Sequence, residues 1–224
     1  MKISASFLAE KKIEKAIYKL DHTDADYIHV DVVDGKFVDG KKIPLRKLKK
    51  IYKLTSKRLD VHLMVKKPKK YIKKFVTMNA ERIIIHLELK KDLEKNLELI
   101  HKFGIKNGLA INPNTDISYL EPYLDKIDSI LVMSVMPGYG GQKFIENTTT
   151  RLIEIKKMLL QHPNIEIMVD GGINEDTIEF VKIADIVVSG SYITKSKNYQ
   201  DQIDKLRQKK KNRDHLDIPK RMES

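Results

Sequence analysis

The sequence predicts an α/β protein of the (β/α)8 TIM-barrel class, a closed eight-stranded parallel sheet with helices outside it. Three observations predict it. Short β-branched runs alternate with longer amphipathic stretches, the alternation repeats eight times, and 224 residues suffice for eight such units near the lower size limit of the fold. With 41% of residues hydrophobic and 33% charged, the chain has apolar material for one sizeable core and one domain. The competing architecture is an open doubly wound sheet, which is disfavoured because no dinucleotide-type glycine fingerprint follows the first strand.

The first run, ISASFL from Ile3, is followed by a helical stripe of Ile13, Ile17 and Leu20. The second, YIHVDVVD from Tyr27, leads into a basic segment in which Leu45, Leu48, Ile51 and Leu54 recur at helical spacing. The third, LDVHLMV from Leu59, precedes Ile72, Phe75 and Val76, and the fourth, RIIIHLEL from Arg82, precedes the stripe Leu93, Leu97 and Ile100. KNGLAI from Lys106 and SILVMSV from Ser129 are the fifth and sixth; Leu152, Ile155 and Leu159 then mark a helix before EIMVDGG from Glu166. IVVSGSYI from Ile186 is the eighth. No linker divides the chain, so residues 1–206 read as a single barrel, and residues 207–224, dense in charge, as a frayed or disordered basic tail.

The chain has no cysteine, so disulfides and thiolate metal sites are excluded and any metal must be held by His, Asp and Glu. No apolar run approaches the roughly 18 residues that span a bilayer, and MKISASFLAEKK does not read as a secretory signal, so the expected setting is cytoplasmic with no membrane partner. The net charge of +12 is unevenly spread: fifteen basic residues lie between Lys41 and Lys74 against the single Asp60, and eight lie between Lys205 and Arg221 against Asp214 and Asp217. The first block interleaves with apolar residues at helical spacing, which reads as solvated outer helix faces. The competing reading is a polyanion-binding barrel that contacts nucleic acid, disfavoured because ligand-type residues are retained inside the strands.

In a barrel of this kind chemistry gathers at the carboxyl ends of the strands. His29 and Asp31 lie two apart on the second strand and share a face, His62 shares a face of the third with Met64, and Asp170 ends the seventh before Gly171 and Gly172. Burying such groups uncompensated costs on the order of several kcal/mol each. A shared divalent cation compensates all four, and nitrogen and oxygen ligands suit Zn2+, Fe2+, Mn2+ or Co2+. His22, His101, His162 and His215 read as surface residues, and His86 as a structural neighbour of the site. Glycine-bearing turns follow the sixth strand (Pro137, Gly138, Tyr139, Gly140, Gly141), the seventh (Gly171, Gly172) and the eighth (Gly190, Ser191), where barrels commonly hold phosphate.

The runs IHVDVVDG from Ile28, LDVHLMV from Leu59, VMSVMPGYGGQKF from Val132, VDGGI from Val169 and the pair Gly190-Ser191 together resemble the ribulose-phosphate 3-epimerases. The likeness covers essentially the whole chain apart from the basic tail. It implies a (β/α)8 isomerase that interconverts D-ribulose 5-phosphate and D-xylulose 5-phosphate in the pentose phosphate pathway, with an epimerase of another ketose phosphate, such as allulose 6-phosphate, as the near alternative. It further implies that His29, Asp31, His62 and Asp170 hold the metal and that Asp31 and Asp170 are the acid/base pair, because inverting a carbon beside a carbonyl needs a proton carrier on each face. By the same likeness Ser6 and His62 contact substrate, Gly138, Tyr139, Gly140 and Gly141 form a lid, and Gly171, Gly172, Gly190 and Ser191 cradle phosphate. Met64 and Met133 form an apolar wall or simply fill the core. The partner is then a phosphorylated ketose, with a homo-oligomer left open. Departures fall on Ala5, on Val33 in place of a methionine, on the stretch VDGKKIPL and on Met136, and they bear on which sugar phosphate is used.

Overall fold

The structure, a computed structural model, describes residues 1–40, 42–51 and 53–211. Eight strands close in sequence order into one parallel barrel, with β8 pairing back onto β1. They are β1 (Lys2–Ser6), β2 (Tyr27–Val33), β3 (Leu59–Met64), β4 (Ala80–His86), β5 (Lys106–Ile111), β6 (Ser129–Met133), β7 (Glu166–Asp170) and β8 (Ile186–Ser189). Outside run α1 (Ile13–Asp21), α2 (Leu45–Ile51), α3 (Lys69–Phe75), α4 (Leu93–Lys102), α5 (Thr148–Met158), the single turn α6 (Ser191–Thr194) and α7 (Tyr199–Lys211).

Alternation along each strand sorts the side chains into two cores. Outward residues such as Ile28, Val30, Val61, Leu63, Ile83, Ile85 and Val187 are buried against helix residues including Ile17, Leu20, Ile72, Leu97, Leu152 and Ile203. Each such side chain contributes roughly 1.5–3 kcal/mol when fully buried, and together they hold the helical ring to the sheet. Inward residues Ile84, Ala110, Leu131, Met168, Ile186 and Val188 fill the middle of the barrel. Below them, at the amino ends of the strands, Arg82 is fully buried and donates to Glu166 at 2.6 Å, and Glu166 also pairs with Lys2 at 3.0 Å and Lys106 at 3.3 Å. An ionic plug therefore closes one end, and the other end is left to the polar residues of the site.

The helical stripes fall where the periodicity places them. Ile13, Ile17 and Leu20 are buried on α1, and Leu93, Leu97 and Ile100 on α4. In the basic block Leu48, Ile72 and Phe75 face inward while Arg46, Lys47, Lys49, Lys50, Lys69, Lys70 and Lys73 are exposed, the pattern of solvated outer faces. Leu54 departs from its stripe, lying past the end of α2 and 37% exposed; the side chains of Leu45 and Ile51 are outside the description. Two connections are not α-helical: residues Ile117–Lys126 after β5 and Ile178–Val181 after β7 form 3-10 turns. Pro122 lies inside the first and lacks the N–H that an α-helix would use there. α7 runs to Lys211, into the start of the segment that the sequence sets apart as a tail, and the rest of that segment, 212–224, lies outside the described residues. None of the described helices is long and apolar enough to cross a membrane.

Candidate active site

The register between β2 and β3 sets His29 beside Asp60 and Asp31 beside His62. All four point inward, so each histidine meets a carboxylate of the neighbouring strand. His29 Nδ1 lies 3.1 Å from Asp60 Oδ2, which also accepts from Ser4 Oγ at 2.7 Å; His62 Nδ1 lies 3.2 Å from Asp31 Oδ1. From across the barrel Asp170 Oδ2 comes within 3.9 Å of His29 Nε2 and 3.8 Å of His62 Nδ1. His29 Nε2 is 3.3 Å from Asp31 Oδ1 and, though fully buried, has no hydrogen-bond partner among the described residues.

The donor set fits a divalent cation. One ligand atom from each of His29, Asp31, His62 and Asp170 lies within 4.8 Å of the other three. An ion with tetrahedral ligands at about 2.1 Å would hold neighbouring ligand atoms roughly 3.4 Å apart, and the separations of 3.2, 3.3, 3.8 and 3.9 Å bracket that value. An orphaned imidazole nitrogen aimed at two carboxylates is the local signature of a place for positive charge.

Electrostatics divide the carboxylates. Burial alone would raise Asp31, but His29 and His62 outweigh it and hold Asp31 far below the usual carboxylate range. For Asp170 the charge of His29 compensates too little: burial first, and then the Asp31 charge, push it up to about 7. Burial disfavours charge on His29, yet Asp31 and Asp60 prevail and raise its pKa well above the ordinary imidazole value. His62 goes the other way, lowered chiefly by burial and also by the charge of His29.

Above these residues opens a cavity of about 580 Å³. Its floor contains Asp31, Asp170, Met64 and Met133, and Ser6 sits at one edge, where its Oγ donates to Asp31 Oδ2 at 2.8 Å. His29 and His62 lie beneath the floor rather than among the lining residues. Residues Gly138, Tyr139, Gly140 and Gly141 form one wall, with Tyr139 58% exposed, and Gln142 ties that loop by donating to the carbonyls of Met136 at 2.6 Å and Tyr139 at 2.8 Å. Gly171, Gly172, Gly190 and Ser191 also line the cavity, and a Cβ on Gly141 would stand 3.9 Å from Ser191 Oγ, so the two glycine-bearing stretches adjoin. The backbone of Gly172 has φ +63°, and an added Cβ would stand 2.6 Å from Phe144 N, so this turn admits no side chain.

A model of the ribulose-phosphate 3 epimerase family matches residues 2–194. The chain belongs to that family. Ribulose-phosphate 3-epimerases similar to it include that of Aquifex aeolicus, 42% identical over 82% of this chain and 84% of the relative, and that of Bacillus subtilis, 33% identical over 92% and 95%. That of Escherichia coli K12 is 37% identical over 82% and 83%. Among solved structures, KGPDC from Streptococcus mutans superposes with a TM-score of 0.70 at 14% identity over 94% of this chain and 97% of that one, a likeness of fold alone. The protein is thus an epimerase-family isomerase on a (β/α)8 barrel.

The epimerase fold gathers the candidate site residues at one cavity, with His29 and His62 just beneath its floor, and it adds two, Asp60 and Glu88, that sequence reasoning passes over. Asp60, counted only as the lone acid of a basic block, is fully buried and holds His29; its two-residue spacing from His62 was the signal that would have found it. His86, read from the sequence as a structural neighbour of the site, is one: it is fully buried, with Nε2 2.8 Å from His62 Nε2. Glu88 follows, 3.0 Å from His86 Nδ1. His22 and His101 are exposed and His162 half-buried, while His215 lies outside the described residues.

Proposed function

We propose that the protein inverts C3 of D-ribulose 5-phosphate to give D-xylulose 5-phosphate, by two-base proton transfer through an enediolate. The observation that carries this reading is the pair Asp31 and Asp170, the only acidic side chains lining the cavity among the described residues. They come from strands three steps apart around the barrel, which suits two proton carriers acting on opposite faces of a flat intermediate.

Asp31, held ionised chiefly by His29, is the carboxylate ready to take the C3 proton; Asp170, reaching in from the far strand, is placed to return one to the other face. For the reverse reaction the roles exchange. Ser6 orients the base through its 2.8 Å hydrogen bond to Asp31. His29, Asp31, His62 and Asp170 would hold a divalent ion, Zn2+, Fe2+, Mn2+ or Co2+, whose charge stabilises the enediolate oxygens when it is bound. Met64 and Met133 present an apolar surface to the carbon skeleton, the glycine-rich turns at Gly171, Gly172, Gly190 and Ser191 offer backbone N–H groups to the phosphate, and the Gly138–Gly141 loop covers the sugar.

Proton NMR of the Zn2+-loaded protein with D-ribulose 5-phosphate in D2O tests the reading. Loss of the C3 proton signal together with growth of D-xylulose 5-phosphate is the expected result. Stoichiometric metal with neither change would redirect the substrate toward another ketose phosphate and the altered stretch from Asp39 to Pro44.

A further inference from the structure

With both imidazoles neutral, the hydrogen-bond chain that leaves His62 on the side away from the cavity takes one assignment of protons, set from its far end. Glu88 Oε1 accepts from the Asn112 backbone N–H at 2.8 Å and from Thr115 Oγ1 at 2.6 Å. That carboxylate is therefore anchored as an acceptor, and its free oxygen, Oε2, faces His86 Nδ1 at 3.0 Å. An acceptor there requires the proton of His86 to sit on Nδ1, which leaves His86 Nε2 as a lone pair. Across 2.8 Å from that lone pair stands His62 Nε2, which must then carry the hydrogen. A neutral imidazole with hydrogen on Nε2 has a bare Nδ1, and Nδ1 is the His62 atom that faces Asp31 and Asp170.

We propose that Glu88, acting through His86, is a positioning residue that holds His62 in the Nε2–H tautomer and so keeps its Nδ1 lone pair aimed into the four-residue cluster. This rests on reading that cluster as a divalent-metal site. The two histidine ligands are thereby oriented by different means: His29 leans directly on Asp60, whereas His62 is separated from its carboxylate by a second imidazole. Packing fixes the intermediate ring: His86 lies nearly in plane with His62, centroids 4.9 Å apart and planes 28° apart, and the Phe37 ring packs against it with centroids 4.8 Å apart. The sequence feature that carries the relay is the H-x-E spacing at the end of β4, where the strand passes at once into the short turn Leu87–Leu89 and swings Glu88 back beside His86.

Glu88→Gln inverts the logic. Its single carbonyl oxygen is needed by the Asn112 N–H and the Thr115 hydroxyl, so its NH2 must face His86 Nδ1. His86 then carries its proton on Nε2, and His62 Nδ1 is protonated where a metal should bind. The test uses the full chain stripped of metal, Zn2+ as the probe in a competition titration, and long-range proton–nitrogen spectra of the imidazoles, on the wild type, Glu88→Gln, His86→Phe and the double variant. The expected results are His86 protonated on Nδ1 in the wild type and on Nε2 in Glu88→Gln, and a Zn2+ affinity weakened about 10–100-fold by either single change. The double variant should lose no more than His86→Phe alone, because Glu88 has no route to His62 without His86.

An unchanged His86 tautomer in Glu88→Gln overturns the proposal. So does a full additional loss of affinity in the double variant, which would mark a through-space charge effect. Should His86→Phe not fold, the His86 tautomer in Glu88→Gln decides by itself. A wild type that binds no stoichiometric Zn2+ refutes the metal reading instead, a result distinct from either of these.

Discussion

Asp170→Asn should stabilise the metal-free protein at alkaline pH while removing turnover. Asp170 has an ordinary carboxylate value of 3.8 in the unfolded chain and is pushed up to about 7 in the folded one, by burial and by Asp31. A carboxyl whose folded pKa lies above its unfolded value gives its full contribution below about pH 4 and loses it as the pH rises through about 7. The displacement corresponds to roughly 4 kcal/mol in all, of which roughly 2–3 kcal/mol develops between pH 5 and pH 8. The side chain keeps 18% of its exposure, so solvent screens part of this. We expect the margin of Asp170→Asn over the wild type to grow by about 2 kcal/mol from pH 5 to pH 8. The assay is urea unfolding at both pH values with a chelator present. Adding Zn2+ at 100 times its dissociation constant should return about 2.7 kcal/mol to the wild type and much less to the variant. A margin that is flat with pH, or that shrinks, refutes the assignment of Asp170 as the destabilised carboxylate of the site.

Three further outcomes follow from the same geometry. Ser6→Ala removes the 2.8 Å hydrogen bond to Asp31 and should raise the Michaelis constant with little change in melting temperature; an unchanged constant counts against the contact. Arg82→Met leaves Glu166 at the closed end with only Lys2 and Lys106 and should cost about 1–3 kcal/mol by denaturant unfolding, with kcat nearly unchanged because the plug lies at the end opposite the cavity. Gly138→Ala meets both a left-handed φ of +120° and the carbonyl of Asp39, so kcat/KM should fall while the melting temperature, set by the barrel, moves little; equal kcat/KM would separate this loop from closure over the substrate.

Much of the site was legible from residue spacing because strands have a strict period of two. His29 and Asp31 share a face by that rule alone, and so do His62 and Met64. The same rule applied to Asp60 and His62 would have brought Asp60 into the site, but a single acid among fifteen basic residues reads as surface charge until its burial is known. The 3-10 connections after β5 and β7 were not legible, since their apolar spacing resembles that of a short helix and the outcome turns on Pro122 and on loop length.

The sequence by itself determined the order of eight strands, the shared face of His29 with Asp31 and of His62 with Met64, and four ligand-type residues at strand ends, all of which are local properties of spacing and side-chain chemistry. Only the tertiary structure decided the cross-strand register that sets Asp31 beside His62 and His29 beside Asp60, the approach of Asp170 from the far side of the barrel, and the turn that brings Glu88 under His86. The first two are distances between residues remote in sequence, set by barrel closure and packing, and no local pattern contains them; the third joins residues only two apart, but it depends on a turn whose direction spacing alone does not fix.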